Sequence, residues 1–144
     1  MAEYVIDASV AIKWVAKDES FRSEAIKLLR DAQLNGDILC GPPLLIYEVE
    51  SAIQRHLFLG RTTIAAADFS LNVFYKVGIK IFTHYNMVYR AREIARQFNQ
   101  ERIYDSLYAA LAQLRGCEFW TADKLFYDAV KSELSFVRYL PDYH

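Results

Sequence analysis

Short apolar, β-branched runs alternate with helical patterns from one end of this chain to the other, and that alternation restricts it to an α/β fold with a mainly parallel sheet. The opening run Tyr4, Val5, Ile6 reads as a central strand. Ser9 can then cap a helix through Val15. A second helix runs from about Phe21 to Asn35, with Ala25, Leu28, Leu29 and Ala32 inward and Gly36 as its stop. A strand over 37–40 is closed by Pro42 and Pro43, which lead a helix reaching about Leu59 and Gly60. Ile64, Ala67, Leu71 and Phe74 predict a helix over 62–77, and 80–83 reads as a strand. The next helix buries Val88, Ala91, Ala95 and Phe98 and turns Tyr89, Arg92 and Arg96 the other way. Helix 105–115 is apolar on nearly every face, so it belongs inside. A strand over 118–121, a helix over 123–131 and a strand over 136–139 complete about five strands flanked by helices.

At 144 residues the chain is a single domain, 1–144, long enough to bury a core without disulfides or zinc. Cys40 and Cys117 lie in apolar runs without metal-ligand spacing and read as buried thiols. The formal net charge is only −1, which excludes a protein that coats nucleic acid through its overall field. Positive charge is instead local, in Arg90, Arg92, Arg96 and Arg102. No signal peptide precedes Tyr4 and no apolar run is long enough to span a membrane, so the expected location is cytoplasmic.

Four acidic residues stand at matching breaks between strand and helix: Asp7, Glu48, Asp105 and Asp123. With parallel strands they can gather at the carboxyl ends of the sheet, where open α/β folds put their ligands. Singly, each has a structural explanation. Asp105 and Asp123 can cap helices, and Glu48 near a helix start favours the macrodipole. Asp7 resists that treatment, because a carboxylate directly after a buried strand is poorly hydrated unless something positive faces it. Gathered together, four carboxylates repel unless protonated or bridged by a cation, and hard oxygen ligands suit Mg²⁺ or Mn²⁺. The histidines share no ligand spacing and none is offered as a base.

The strings VIDASVAIKW, PPLLIYEVESAI, YDSLYAALA and WTADKLF occur in that order with an α/β unit between each pair. In these the chain resembles the PIN-domain ribonucleases, particularly the VapC-like toxins of toxin–antitoxin pairs. The resemblance implies a metal site of Asp7, Glu48, Asp105 and Asp123, with Ser9 and Thr121 as supporting hydroxyls. It also implies a Mg²⁺- or Mn²⁺-dependent endoribonuclease that leaves a 5′-phosphate and a 3′-hydroxyl. Asp7, Asp105 and Asp123 would hold the principal ion, and Glu48 would bind through water or help a second one. Many relatives carry Asn three residues after the helix glutamate; here Ser51 stands there. The implied partners are RNA, a small antitoxin protein and a second copy of the chain. Lys13, Arg92 and Arg96 are candidate RNA contacts, and Trp14, Phe58 and Leu59 candidate partner contacts. The alternative is a catalytically inactive PIN-like module that binds a metal and a protein. A glycine-rich nucleotide turn is missing after the first strand, and the Asp two residues on from Asp7 that a phosphoaspartyl hydrolase needs is replaced by Ser9.

Overall fold

The computed structural model describes residues 1–144. Along the chain run β1 (Glu3–Ile6), α1 (Ala8–Val15), α2 (Arg22–Asn35), β2 (Ile38–Gly41), α3 (Leu44–Phe58), α4 (Ile64–Lys76) and β3 (Lys80–Ile81). They are followed by α5 (Met87–Gln97), α6 (Tyr104–Arg115), β4 (Glu118–Thr121), α7 (Lys124–Val130) and β5 (Val137–Tyr139). The five strands form one sheet in the order β3-β2-β1-β4-β5, and every pairing is parallel. The α/β architecture expected from the alternating pattern is the one observed.

Strand β1 lies at the centre. The chain winds outward from it to β2 and β3, then crosses back to start β4 on the other side. That reversal opens a crevice at the carboxyl ends of β1 and β4, the usual place for a ligand in such a sheet. Ile6 pairs with Trp120, so Asp7, the first residue past β1, comes beside Thr121, the last residue of β4.

Helix α6 lies against this centre. Tyr108, Ala109, Ala110, Leu111 and Ala112 are buried, and the Tyr108 ring stacks on Phe119 of β4 with centroids 5.7 Å apart. The run of alanines lets the helix backbone approach the sheet closely. Gly41 does the same for β2: a Cβ there would stand 2.8 Å from Leu45 Cδ2, so glycine lets the first turn of α3 close over the strand end.

Several boundaries differ from the sequence reading. Asp7, not Ser9, is the N-cap of α1. Thr63 caps α4, which leaves Ile64 exposed at the helix start. On α5 the buried residues are Met87, Ala91, Ile94 and Ala95, while Val88 is 49% exposed. The observed stripe has the i, i+4, i+7, i+8 spacing of a single helix face and keeps the larger Ile94 inside. Strand β3 is only two residues long, as befits an exposed edge. No helix is long and apolar enough to cross a membrane.

Candidate metal centre

Asp7 is buried where β1 hands over to α1. Its Oδ1 accepts from the Ser9 hydroxyl at 2.5 Å and from the Val10 N–H at 3.2 Å; its Oδ2 accepts from the Thr121 hydroxyl. Both hydroxyls accept as well as donate. The Ala122 N–H donates to Ser9 Oγ at 2.9 Å and the Asp123 N–H to Thr121 Oγ1 at 3.0 Å. Two short side chains thus tie the end of β1 to the end of β4 and fix Asp7 between them. Asp123 caps α7, with Oδ1 accepting from the Phe126 N–H at 3.0 Å.

Glu48 sits half-buried on the second turn of α3, and its Oε1 accepts from the Tyr108 hydroxyl at 2.5 Å. Asp105 lies in the first turn of α6, but Ile103 occupies the N-cap position, so the capping explanation fails for this residue. Its carboxylate caps nothing.

The electrostatics join the four acids. Burial pushes the Asp7 carboxyl up to about 6; its hydrogen bonds oppose the rise and the charge of Glu48 adds to it. Asp105 is pushed up to about 7, first by burial and then by the charges of Asp123, Asp7 and Glu48. Burial also raises Glu48, against the pull of the Tyr108 hydroxyl. All seven ion pairs of the molecule use other carboxylates, so no lysine or arginine neutralises this cluster.

No three His, Cys, Asp or Glu side chains close around a common point. Repulsion among carboxylates without a counter-charge favours such an open arrangement. The donor set nevertheless fits a hard divalent cation: four carboxylates, no sulfur or imidazole, and a local excess of negative charge. Hydrogen-bond accounting indicates which oxygens are free for it. Glu48 Oε2 accepts nothing from the protein, and the Asp105 carboxyl meets only that of Asp123, a contact a cation would replace.

The other sequence candidates divide. Ser9 and Thr121 each donate a hydroxyl hydrogen bond to Asp7. Ser51 is exposed and bonds to none of the acids. Lys13, a candidate RNA contact, is buried: its side chain is 9% exposed and its ammonium lies 3.7 Å from Glu19, in the loop after α1. That pairing removes it as a free phosphate contact. Arg92 and Arg96 are exposed and outside every ion pair, whereas Arg90 is engaged by Gln113 and Glu93. Trp14 belongs to the core, where its indole N–H donates to the Ala25 carbonyl, while Phe58 and Leu59 remain exposed. Sequence reasoning assigned no role to Tyr108. Its partner is 60 residues away, on an element with no sequential link to α6, so no local pattern could have revealed the pair.

Replacing Thr121 by Val removes one donor from the buried Asp7 at nearly constant volume. A cost of about 1–3 kcal/mol is expected at pH 8, and less at pH 5 where Asp7 is protonated in the folded state. Urea midpoints at the two pH values would measure it.

Residues 4–131 match the family model of the PIN domain. The chain belongs to the PIN-domain family. PIN domains are generally nucleases, which makes this one a member of a hydrolase family. The crystal structure of PAE2754 from Pyrobaculum aerophilum superposes on this PIN domain with a TM-score of 0.69 at 20% identity, over 97% of this chain and 92% of that one. The sarcin–ricin-loop-cleaving toxin VapC20 of Mycobacterium tuberculosis gives 0.64 at 14% identity, over 88% and 94%. Both likenesses extend along the whole fold. Comparison with curated protein sequences found no match.

Proposed function

We propose that this PIN domain is a metal-dependent endoribonuclease and the toxin of a toxin–antitoxin pair. The observation that carries the reading is the group of four electrostatically coupled carboxylates, without a basic partner, at the crevice between β1 and β4.

In this reading Asp7, Asp105 and Asp123 hold a Mg²⁺ or Mn²⁺ ion, and Glu48 reaches it through water or serves a second one. A divalent ion there supplies positive charge to the phosphate oxygens and makes a nearby water more acidic. Ser9 and Thr121 hold Asp7 in one orientation, so little rearrangement is needed at that ligand. The exposed guanidinium groups of Arg92 and Arg96 attract the RNA backbone locally, on a chain whose net charge is only −1. None of these roles requires a 2′-hydroxyl as nucleophile, so the preference for RNA comes from contacts outside the acidic cluster. The exposed Phe58 and Leu59 offer an apolar surface to an antitoxin or to a second copy of the chain. A cytoplasmic location fits these partners.

The test is cleavage of a panel of single-stranded and hairpin RNAs, one of them a sarcin–ricin-type loop, by purified protein in Mg²⁺ or Mn²⁺. Cutting is expected with either ion and none in EDTA, with 5′-phosphate and 3′-hydroxyl products. Mn²⁺ binding without cleavage of any RNA would instead favour a metal-binding interaction module.

A further inference from the structure

The hydroxyl of Tyr108 is fully buried, and its only partner is Glu48 Oε1. Its ring is held independently, stacked at 12° on Phe119 beneath the sheet crevice. A hydroxyl so placed has one geometry available to it. It donates to one oxygen of Glu48 and restrains the side chain's rotation from the side of the core. Glu48 otherwise has three rotatable bonds and no other hydrogen-bond donor, so without Tyr108 nothing would hold its carboxylate near Asp7 and Asp105.

We infer that Tyr108 is a positioning residue for Glu48, holding that carboxylate where it would serve a divalent ion. The inference rests on the metal-dependent nuclease reading and names a group that the four acids do not include. Tyr108 touches neither substrate nor ion. Its effect passes entirely through Glu48, so its removal weakens ion binding and turnover while leaving RNA affinity intact. The molecule contains its own comparison: Tyr75 makes the same hydroxyl-to-carboxylate bond to Glu50 at 2.6 Å, with Tyr75 exposed rather than buried in the core.

The experiment is Mn²⁺ titration followed by electron paramagnetic resonance, together with steady-state RNA cleavage, on wild type, Tyr108→Phe, Tyr75→Phe, Glu48→Gln and the Tyr108→Phe/Glu48→Gln double variant. Tyr108→Phe should bind Mn²⁺ about 10-fold more weakly, within the range typical for lost supporting contacts, and lower kcat with KM for RNA unchanged. Tyr75→Phe should match wild type in both. In the Glu48→Gln background the same hydroxyl removal should change Mn²⁺ affinity less than about 2-fold, because its route of action is already gone. Because both arms carry Tyr108→Phe, general damage to the fold would lower Mn²⁺ affinity equally in the two backgrounds and is thereby told apart from an effect through Glu48. Unchanged Mn²⁺ affinity in Tyr108→Phe, or an equal loss in both backgrounds, would overturn the inference while leaving the nuclease reading intact. A wild type that neither binds Mn²⁺ nor cuts RNA overturns both.

Discussion

Asp105→Asn is expected to abolish metal-dependent RNA cleavage while leaving a folded and more stable protein. Asparagine keeps the volume and one carbonyl oxygen but removes the charge from the acid least supported by the protein. Asp7 has three donors, Asp123 caps a helix and Glu48 has Tyr108, whereas Asp105 caps nothing. A side chain pushed this far from its ordinary charge balance, with no backbone group to cap, points to an electrostatic function. Loss of its charge should reduce turnover by about 10²–10³-fold or more, the lower end being the scale seen when a single group that stabilises developing charge is removed.

The stability arm of that prediction separates a ligand from a fold element. Burial and the charges of Asp123, Asp7 and Glu48 make an ionised Asp105 costly in the metal-free protein. The variant should therefore be more stable than wild type by about 1–3 kcal/mol at pH 8 without metal, with the gap closing toward pH 4. Chemical denaturation at both pH values measures it. A variant that is less stable and still cuts RNA would mark Asp105 as structural and sink its assignment to the metal centre.

Much of this arrangement is legible in the sequence because its elements are locally encoded. β-branched runs, the helix stop at Gly36 and the all-round apolar α6 each specify an element from neighbouring residues, and their alternation leaves a parallel sheet as the natural way to pair the strands. The acids are legible because each follows a strand or opens a helix at the same end of such a sheet. What sequence cannot display is rotation about an element or pairing across the core. Lys13 sits on a short helix whose C-terminal half is buried, and the turn after it brings Glu19 back to the ammonium. Val88 yielded its place to Ile94 because the face of α5 against α6 is fixed by packing between the two helices. Tyr108 and Glu48 meet only because the tertiary fold brings α3 and α6 together. The cap at Asp7 is the subtlest case: one carboxylate both starts a helix and takes part in the acidic cluster, so the structural and functional explanations of that residue do not compete.

The second large effect concerns pH and metal together. In the folded, metal-free chain Asp7 holds its proton up to about pH 6 and Asp105 up to about pH 7; in the unfolded chain both release it near 3.8. Between those limits the folded state binds more protons than the unfolded one, so the free energy of unfolding falls as pH rises. The stability associated with the protonated acids is fully present below about pH 4 and lost by about pH 7. The two shifts act on one coupled cluster with an open edge, so their combined effect is roughly 2–4 kcal/mol, less than their ideal sum. A divalent cation replaces those protons with charge that remains in place at high pH, and it binds only the folded arrangement of acids. Thermal midpoints of the metal-free protein should therefore decline from pH 5 to pH 8, whereas midpoints in excess Mn²⁺ should stay nearly level, and the gain from Mn²⁺ should be largest at pH 8. An equal effect of Mn²⁺ at both pH values would mean that the ion does not compete with these protons, and would place its binding outside the cluster of Asp7, Glu48, Asp105 and Asp123.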